Sequence, residues 1–149
     1  MGITRTHTGR TLADLPRRFL DAQAEQMLAS VALTIVRTRA FDRGVGLDDR
    51  PHLAYTPAYA RSRARQGRRV SPPDYTMTGR LRRSVRSVSR RQGARVRIRL
   101  GTVGQRAIVA SVLNRRGAGW LGLSPSDRPK FAKLLRIAIA QTRARQVSR

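Results

Sequence analysis

Between residues 95 and 100, apolar and basic side chains alternate strictly along the chain. Val96, Ile98 and Leu100 are aliphatic, and each is preceded by an arginine, at 95, 97 and 99. Successive side chains of a strand point to opposite faces of the sheet. The pattern therefore predicts a strand with one aliphatic face toward a core and one row of guanidinium groups facing away from it.

The flanking segments predict that this strand belongs to an antiparallel sheet of at least three strands. A strand pattern at Arg86–Arg91 is followed by Gln92-Gly93, a plausible tight turn, and by the return strand Ala94–Leu100. The apolar run Arg106–Leu113 (RAIVASVL) is typical of a buried central strand.

Two helices are predicted at the ends of the chain. The first begins near Thr11–Asp14, with Asp14 as N-cap and Pro16 in the first turn, and ends at Ala40 or Phe41, a length of some 40 Å at about 1.5 Å per residue. Its apolar stripe comprises Leu20, Ala24, Met27, Leu28, Val31 and Ile35, widened by Leu33 and Val36. The last helix starts at Ser124-Pro125-Ser126-Asp127, with Ser124 as N-cap and Asp127 at N3. Its apolar stripe comprises Phe131, Leu134, Leu135, Ala138 and Ile139.

The segments between these elements have weaker patterns. Residues 1–10 are interpreted as a flexible arm, and Thr76 or Thr78 is expected to cap a short helix containing Leu81 and Val85. Residues 42–77 carry little periodicity, although Ala58–Gln66 suits a short helix, so we expect an extended basic loop that orders on a neighbouring molecule. An ordinary solvated charge run is the alternative. The residues expected to contact the neighbour are Tyr55, Tyr59, Arg61, Arg65, Arg68 and Arg69.

Together these elements predict one α+β domain over residues 11–149, with the helices on the aliphatic face of the sheet. The 149 residues include 32 Lys and Arg but only 8 Asp and Glu, a net charge of +24. No acid lies between Tyr75 and Ser126, so this half of the chain cannot neutralise itself. Either the first helix supplies acids to the sheet, or a polyanion or acidic partner does. The expected contact residues are Arg82, Arg83, Arg86, Arg95, Arg97 and Arg99.

Catalysis is not indicated. His7 and His52 lack partner spacing, and His52 beside Asp48 and Asp49 is interpreted as a solvated loop residue rather than a metal ligand. The chain has no cysteine, no G-x-S-x-G nucleophile motif and no phosphate-loop spacing of glycines. No apolar run is long enough to span a membrane. We therefore expect no enzyme activity, no cofactor, no metal and no membrane partner.

Two short segments carry a family resemblance. Thr78, Gly79, Leu81 and Ser84 match a Thr-Gly-x-Leu-x-x-Ser segment that opens a helix before a β-hairpin. A second segment, aromatic-Leu-Gly-Leu-Ser-x-x-Asp, is matched by Trp120, Leu121, Gly122, Leu123, Ser124 and Asp127. In this order and spacing the chain resembles the virion-morphogenesis, or tail-completion, proteins of long-tailed bacteriophages.

The resemblance implies a structural subunit of the phage neck, in a virion assembled in the host cytoplasm. Such subunits form a ring, commonly of six copies, between the head-to-tail connector and the tail tube. The arginine row would then meet DNA in the lumen or acidic faces of neighbouring proteins, and both possibilities stay open. The alternative function is sequence-nonspecific binding of nucleic acid.

Overall fold

The computed structural model describes residues 9–73, 79–102 and 119–148 and has a mixed α+β fold. Its three strands are β1 (Gly9–Pro16), β2 (Val85–Gln92) and β3 (Arg95–Thr102). The helices are α1 (Ala22–Arg37), α2 (Pro57–Arg65), α3 (Arg80–Ser84) and α4 (Asp127–Val147). A 3-10 turn at Arg17–Phe19 precedes α1, and a π-helical turn at Thr38–Asp42 continues it.

The strands form an antiparallel sheet in the order β1-β3-β2. Strands β2 and β3 pair in continuous register from Val85 opposite Thr102 to Gln92 opposite Arg95. Gly93 opens their two-residue connection with a φ of +56°, a conformation that glycine adopts without the steric cost of a side chain. The predicted hairpin is therefore present, with strand ends within two residues of the expected ones.

The two-faced character predicted for β3 is confirmed. Val96, Ile98 and Leu100 have no exposed surface, whereas the alternating arginines are exposed or half-buried. Helix α1 packs on this inner face, and α4 packs on α1, so that Phe131 and Ala138 join the same apolar cluster as Val96 and Ile98.

Helix α1 approaches the sheet through small side chains. Ala24, Ala29 and Ala32 are buried with Leu28 and Val36, whereas Met27, Val31 and Ile35 of the predicted stripe are only half-buried. Alanine allows a close approach of helix and strand, because it has no side-chain atoms beyond Cβ. The buried face thus keeps Ala24, Leu28 and Val36 of the predicted stripe, but it is rotated away from Met27, Val31 and Ile35.

The predicted start of the first helix is wrong. Gly9–Pro16 forms strand β1, and α1 begins at Ala22 with Asp21, not Asp14, as its N-cap; the Asp21 carboxylate accepts the Ala24 N–H at 2.8 Å. Pairing of β1 with β3 satisfies a second row of backbone groups on the central strand, and this tertiary gain overrides a weak local pattern. At about 1.5 Å per residue, the 16 residues of α1 span roughly 24 Å rather than 40 Å.

Other predictions have mixed outcomes. Helix α2 lies within one residue of the expected Ala58–Gln66, and α3 is capped by Gly79 at a φ of +69°. Val85 starts β2 instead of continuing α3. The expected strand Arg106–Leu113 and the arm up to residue 8 lie outside the described residues. Thr76 and Thr78 lie outside them too, but the prediction that either residue caps α3 is wrong, because its N-cap is Gly79.

Candidate functional site

The outer face of the sheet carries the arginines that the alternation predicted. We call Arg86, Arg90, Arg95, Arg97 and Arg99 the outer basic face, because their register positions place them together on the side away from α1. Arg90 stands directly opposite Arg97 across the β2–β3 ladder. Like charges in directly opposed positions destabilise a sheet unless other groups compensate them.

The outer basic face is not a set of isolated charges. Arg97 also pairs in register with Asp14 of β1, and Arg95, Arg97 and Arg99 each have a contact within the chain. By register, this face holds five arginines, and β1 contributes one acidic position to it.

The acids of α1 do reach the basic half of the chain. Glu25, which is buried, pairs with Arg91 at 2.9 Å, and Asp21 pairs with Arg145 of α4 at 2.7 Å. The hydrogen bond from Arg145, followed by the one from the Ala24 N–H, lowers the pKa of Asp21 below its ordinary value. These pairs lie off the outer basic face, so they hold α1, β2 and α4 together without neutralising it.

A buried arginine forms the most connected polar site in the described chain. Arg39 lies in the π-helical turn, is 1% exposed, and pairs through Nε with the Asp127 carboxylate at 2.7 Å. Its remaining nitrogens donate to three carbonyl oxygens, those of Val45, Trp120 and Gly122, at 2.7–3.0 Å. Burial lowers the pKa of Arg39, and the Asp127 charge partly opposes that effect.

The start of α4 is fixed by the same cluster. The Ser124 N–H donates to Asp127 Oδ2 at 3.2 Å, and the Asp127 N–H donates to Ser124 Oγ at 3.3 Å. The predicted cap positions are nevertheless wrong, because α4 begins at Asp127 with Ser126, not Ser124, as its N-cap, so that Asp127 is the first helical residue and not the third. Asp49 accepts the N–H and the hydroxyl of Ser126 at 2.9 and 2.6 Å. Hydrogen bonds from Ser124 and Ser126 hold the pKa of Asp49 at about 2.

The residues of the second family motif therefore have a folding role. Trp120 is fully buried and meets Phe41 edge-to-face at 5.2 Å, Leu121 is buried beside it, and Gly122 supplies a carbonyl to Arg39. In the first motif, Leu81 belongs to the same apolar cluster and Gly79 caps α3. Thr78 lies outside the described part of the chain.

The expected assembly loop is structured within the subunit. Arg63 is 1% exposed, lies over the rings of Tyr55 and Tyr59 at 4.8 and 5.9 Å, and donates to the Arg69 carbonyl at 2.8 Å. Of the loop predicted over residues 42–77, the described part up to residue 73 therefore contains helix α2 and an aromatic-guanidinium cluster of its own. Arg61, Arg65 and Arg69 remain exposed, and Arg68 is half-buried.

The return of this segment to α1 depends on a close backbone approach. Gly44 has a φ of +66°, and a Cβ at this position would collide with the carbonyl oxygen of Pro73. The segment is therefore anchored at both ends, beside the π-helical turn.

His52 is buried rather than solvated, contrary to the sequence interpretation. Its Nε2 lies 2.9 Å from the Ala40 carbonyl oxygen, and Asp48 accepts the Arg50 N–H at 3.1 Å. Among residues 9–73, 79–102 and 119–148, no three histidine or acidic side chains are grouped closely enough to hold a metal ion. No helix in these ranges is both long and apolar enough to cross a membrane.

Sequence reasoning missed Arg39 and Arg63 as organising residues. The sequence did contain a signal for Arg39. This residue continues, at helical spacing, the series of positions 32 and 36 that α1 buries. In addition, the basic half of the chain offers no acid before Asp127 that could pair with a buried arginine.

Comparison of the chain with family models, curated proteins and solved structures gives no match.

Proposed function

We propose that the chain is a non-catalytic structural subunit of a phage neck ring, joining the head-to-tail connector to the tail tube. The observation that carries the proposal is the outer basic face, with two arginines directly opposed in register on a sheet whose other face is the core. A face that gathers several arginines on one sheet has a surface suited to anions of other molecules.

The resemblance of the two motifs to tail-completion proteins adds the assembly class. The second motif forms the chain segment from Trp120 to Asp127, which leads into α4 and is held by hydrogen bonds to Arg39 and within the segment. These bonds give a physical reason for that residue pattern in a small α+β subunit. Subunits of such a ring would associate head to tail through heterologous contacts that close. Six copies, with the connector and tail-tube proteins as neighbours, are the proposed arrangement.

Light scattering combined with electron microscopy of the purified chain tests the ring directly. We expect closed particles, and reversal of charge at Arg61 and Arg65 should reduce assembly while leaving circular dichroism unchanged, because both side chains are exposed on α2. Charge reversal at Arg128 and Arg136, exposed on α4, is the matched control and should have less effect. A chain that stays monomeric in every buffer, and that joins no head or tail particle, would contradict the proposal.

The second candidate is sequence-nonspecific binding of nucleic acid, favoured by the same basic face. Its affinity should fall with salt at a log–log slope of about −0.9 per phosphate neutralised. Failure to retain DNA or RNA at about 50 mM salt would remove this candidate.

A further inference from the structure

Three arginines from three elements meet at one corner of the sheet, where α1 ends and β2 begins. Arg37 closes α1, Arg82 lies on α3 and Arg86 is the second residue of β2. We call these three residues the arginine corner. Arg37 Nη2 donates to the Val85 carbonyl oxygen at 2.9 Å, and Arg86 Nη1 approaches the same oxygen at 3.3 Å.

Two guanidinium groups thus share one neutral acceptor. The third guanidinium group, that of Arg82, pairs with the Asp42 carboxylate at 2.9 Å. Among the bonds described here, only this one joins a carboxylate to one of the three cations. Arg86 also donates to the Arg83 carbonyl oxygen, which holds it against α3. The three positive charges are therefore positioned by neutral backbone carbonyls more than by acids.

Arg37 retains unused donor capacity. Its Nε is buried and has no hydrogen-bond partner among the described residues. Burial, and then the charges of Arg86 and Arg82, lower the pKa of Arg37, as expected where cations approach one another without full compensation. A buried unsatisfied donor and repulsion between cations both cost folding free energy, and an anion bound beside the three guanidinium groups would relieve the repulsion.

We propose that the arginine corner binds a phosphate group of a nucleic-acid backbone. The three guanidinium groups come from different elements, and the two non-bridging oxygens of a backbone phosphodiester can accept hydrogen bonds from them as a carboxylate can. The choice of a nucleic acid therefore rests on the next arginine along the strand. Arg90 follows Arg86 on the same strand face at about 13 Å, which continues the basic track as a polyanion requires.

The inference rests on the proposed function only for its biological use, since it names the anion that a neck subunit would meet. The site itself needs one subunit and no ring. A monomer that binds phosphate at the corner would contradict the ring and leave the site standing, and a ring that binds no phosphate would do the reverse.

The test uses the full-length chain with two probes, inorganic phosphate and a DNA duplex of random sequence. Phosphate should raise the melting temperature above that in acetate of equal ionic strength. Duplex affinity, from fluorescence anisotropy, should fall about tenfold in R86Q and in R82Q, the loss of one charge-assisted hydrogen bond. The salt slope should become shallower by about 0.9 in each variant.

R136Q is the control, because it removes one exposed arginine from α4 and keeps the same net charge as R86Q. It should retain the phosphate effect and nearly all duplex affinity. R37Q tests the buried donor, and if it fails to fold, R82Q and R86Q still decide the question, because both side chains lie at the surface.

Equal losses in R136Q and R86Q would overturn the site in favour of diffuse attraction. The absence of any phosphate effect in the unmodified chain would also overturn it. An acidic peptide of glutamates is the third probe: binding of the peptide that depends on Arg86, without binding of phosphate or duplex, would replace the nucleic acid by an acidic protein.

Discussion

Removal of the Asp127 carboxylate should destabilise the domain strongly, because it takes away the counter-charge of a buried arginine. In D127A, the guanidinium of Arg39 would stay buried with three carbonyl acceptors but no counter-charge. Breaking a buried pair in this way costs about 3–5 kcal/mol, a large share of the roughly 5–15 kcal/mol that stabilises a typical domain. At about 2–4 °C per kcal/mol for this chain length, the melting temperature should fall by roughly 6–20 °C.

A matched variant separates burial from charge. D42A also removes one carboxylate from an arginine, but the side chains of Arg82 and Asp42 are 44% and 43% exposed, so the cost should stay below about 1 kcal/mol. Urea unfolding followed by fluorescence is a suitable assay, because Trp120 is the single tryptophan, is buried, and lies beside the Arg39 site.

The double variant R39M/D127A tests the role of the carbonyl oxygens. Where a buried ion pair contacts nothing else, apolar replacement of both partners is often neutral. Here three carbonyl groups would lose their donor, and each unsatisfied buried acceptor costs about 1–3 kcal/mol. The double variant should therefore remain as unstable as D127A. Equal stability of D127A and D42A, or full recovery in the double variant, would refute this account of the cluster.

The remaining predictions concern the sheet, the loop and the response to acid. I98D should unfold the domain, because it buries an unpaired charge, whereas R97S on the opposite face should fold normally by circular dichroism and lose assembly or DNA contact; identical behaviour would show that the faces are assigned wrongly. G44A should lower the urea midpoint more than G67A does, because both glycines have positive φ but only the first Cβ would meet other atoms; equal shifts would argue against the close approach. The pKa of Asp49 lies near 2 in the folded chain, so its stabilising contribution is complete above about pH 4 and is lost as the pH falls toward 2; acid titration of D49N should lack that loss, and an unchanged curve would contradict it.

The sheet was predictable where its pattern is local. The alternation at residues 95–100 and the turn at Gly93 specify a hairpin with little help from the rest of the chain. Strand β1 was not predictable in this way, because Gly9–Pro16 has no clear alternation and becomes a strand only by pairing with β3. Its helix-like start signals, an acid before a proline, were overridden by that long-range ladder.

The site was predictable in composition but not in contacts. The sequence identified the outer arginines and the association of Ser124 with Asp127, both of which follow from local spacing, although it placed the N-cap of α4 two residues too early. It did not identify Arg39, and of the arginine corner it named Arg82 and Arg86 but not Arg37. The partners of Arg39 and Arg37 include Asp127 and the Val85 carbonyl, 88 and 48 residues away, and a backbone carbonyl is not revealed by any residue type.

The chain separates the charges that fold it from the charges left for other molecules. Each described carboxylate side chain, from Asp21 to Asp127, accepts a hydrogen bond within the subunit, and Glu25 and Asp127 do so while buried. With 32 cations and 8 acids in all, complete internal pairing would still leave 24 positive charges. That surplus must be neutralised from outside the subunit, by small ions or by a binding partner, and the outer basic face and the arginine corner are the surfaces that we propose for such a partner. A partner that carries many anions displaces those small ions and gains affinity from their release, which is why the proposed contacts should weaken steeply with salt.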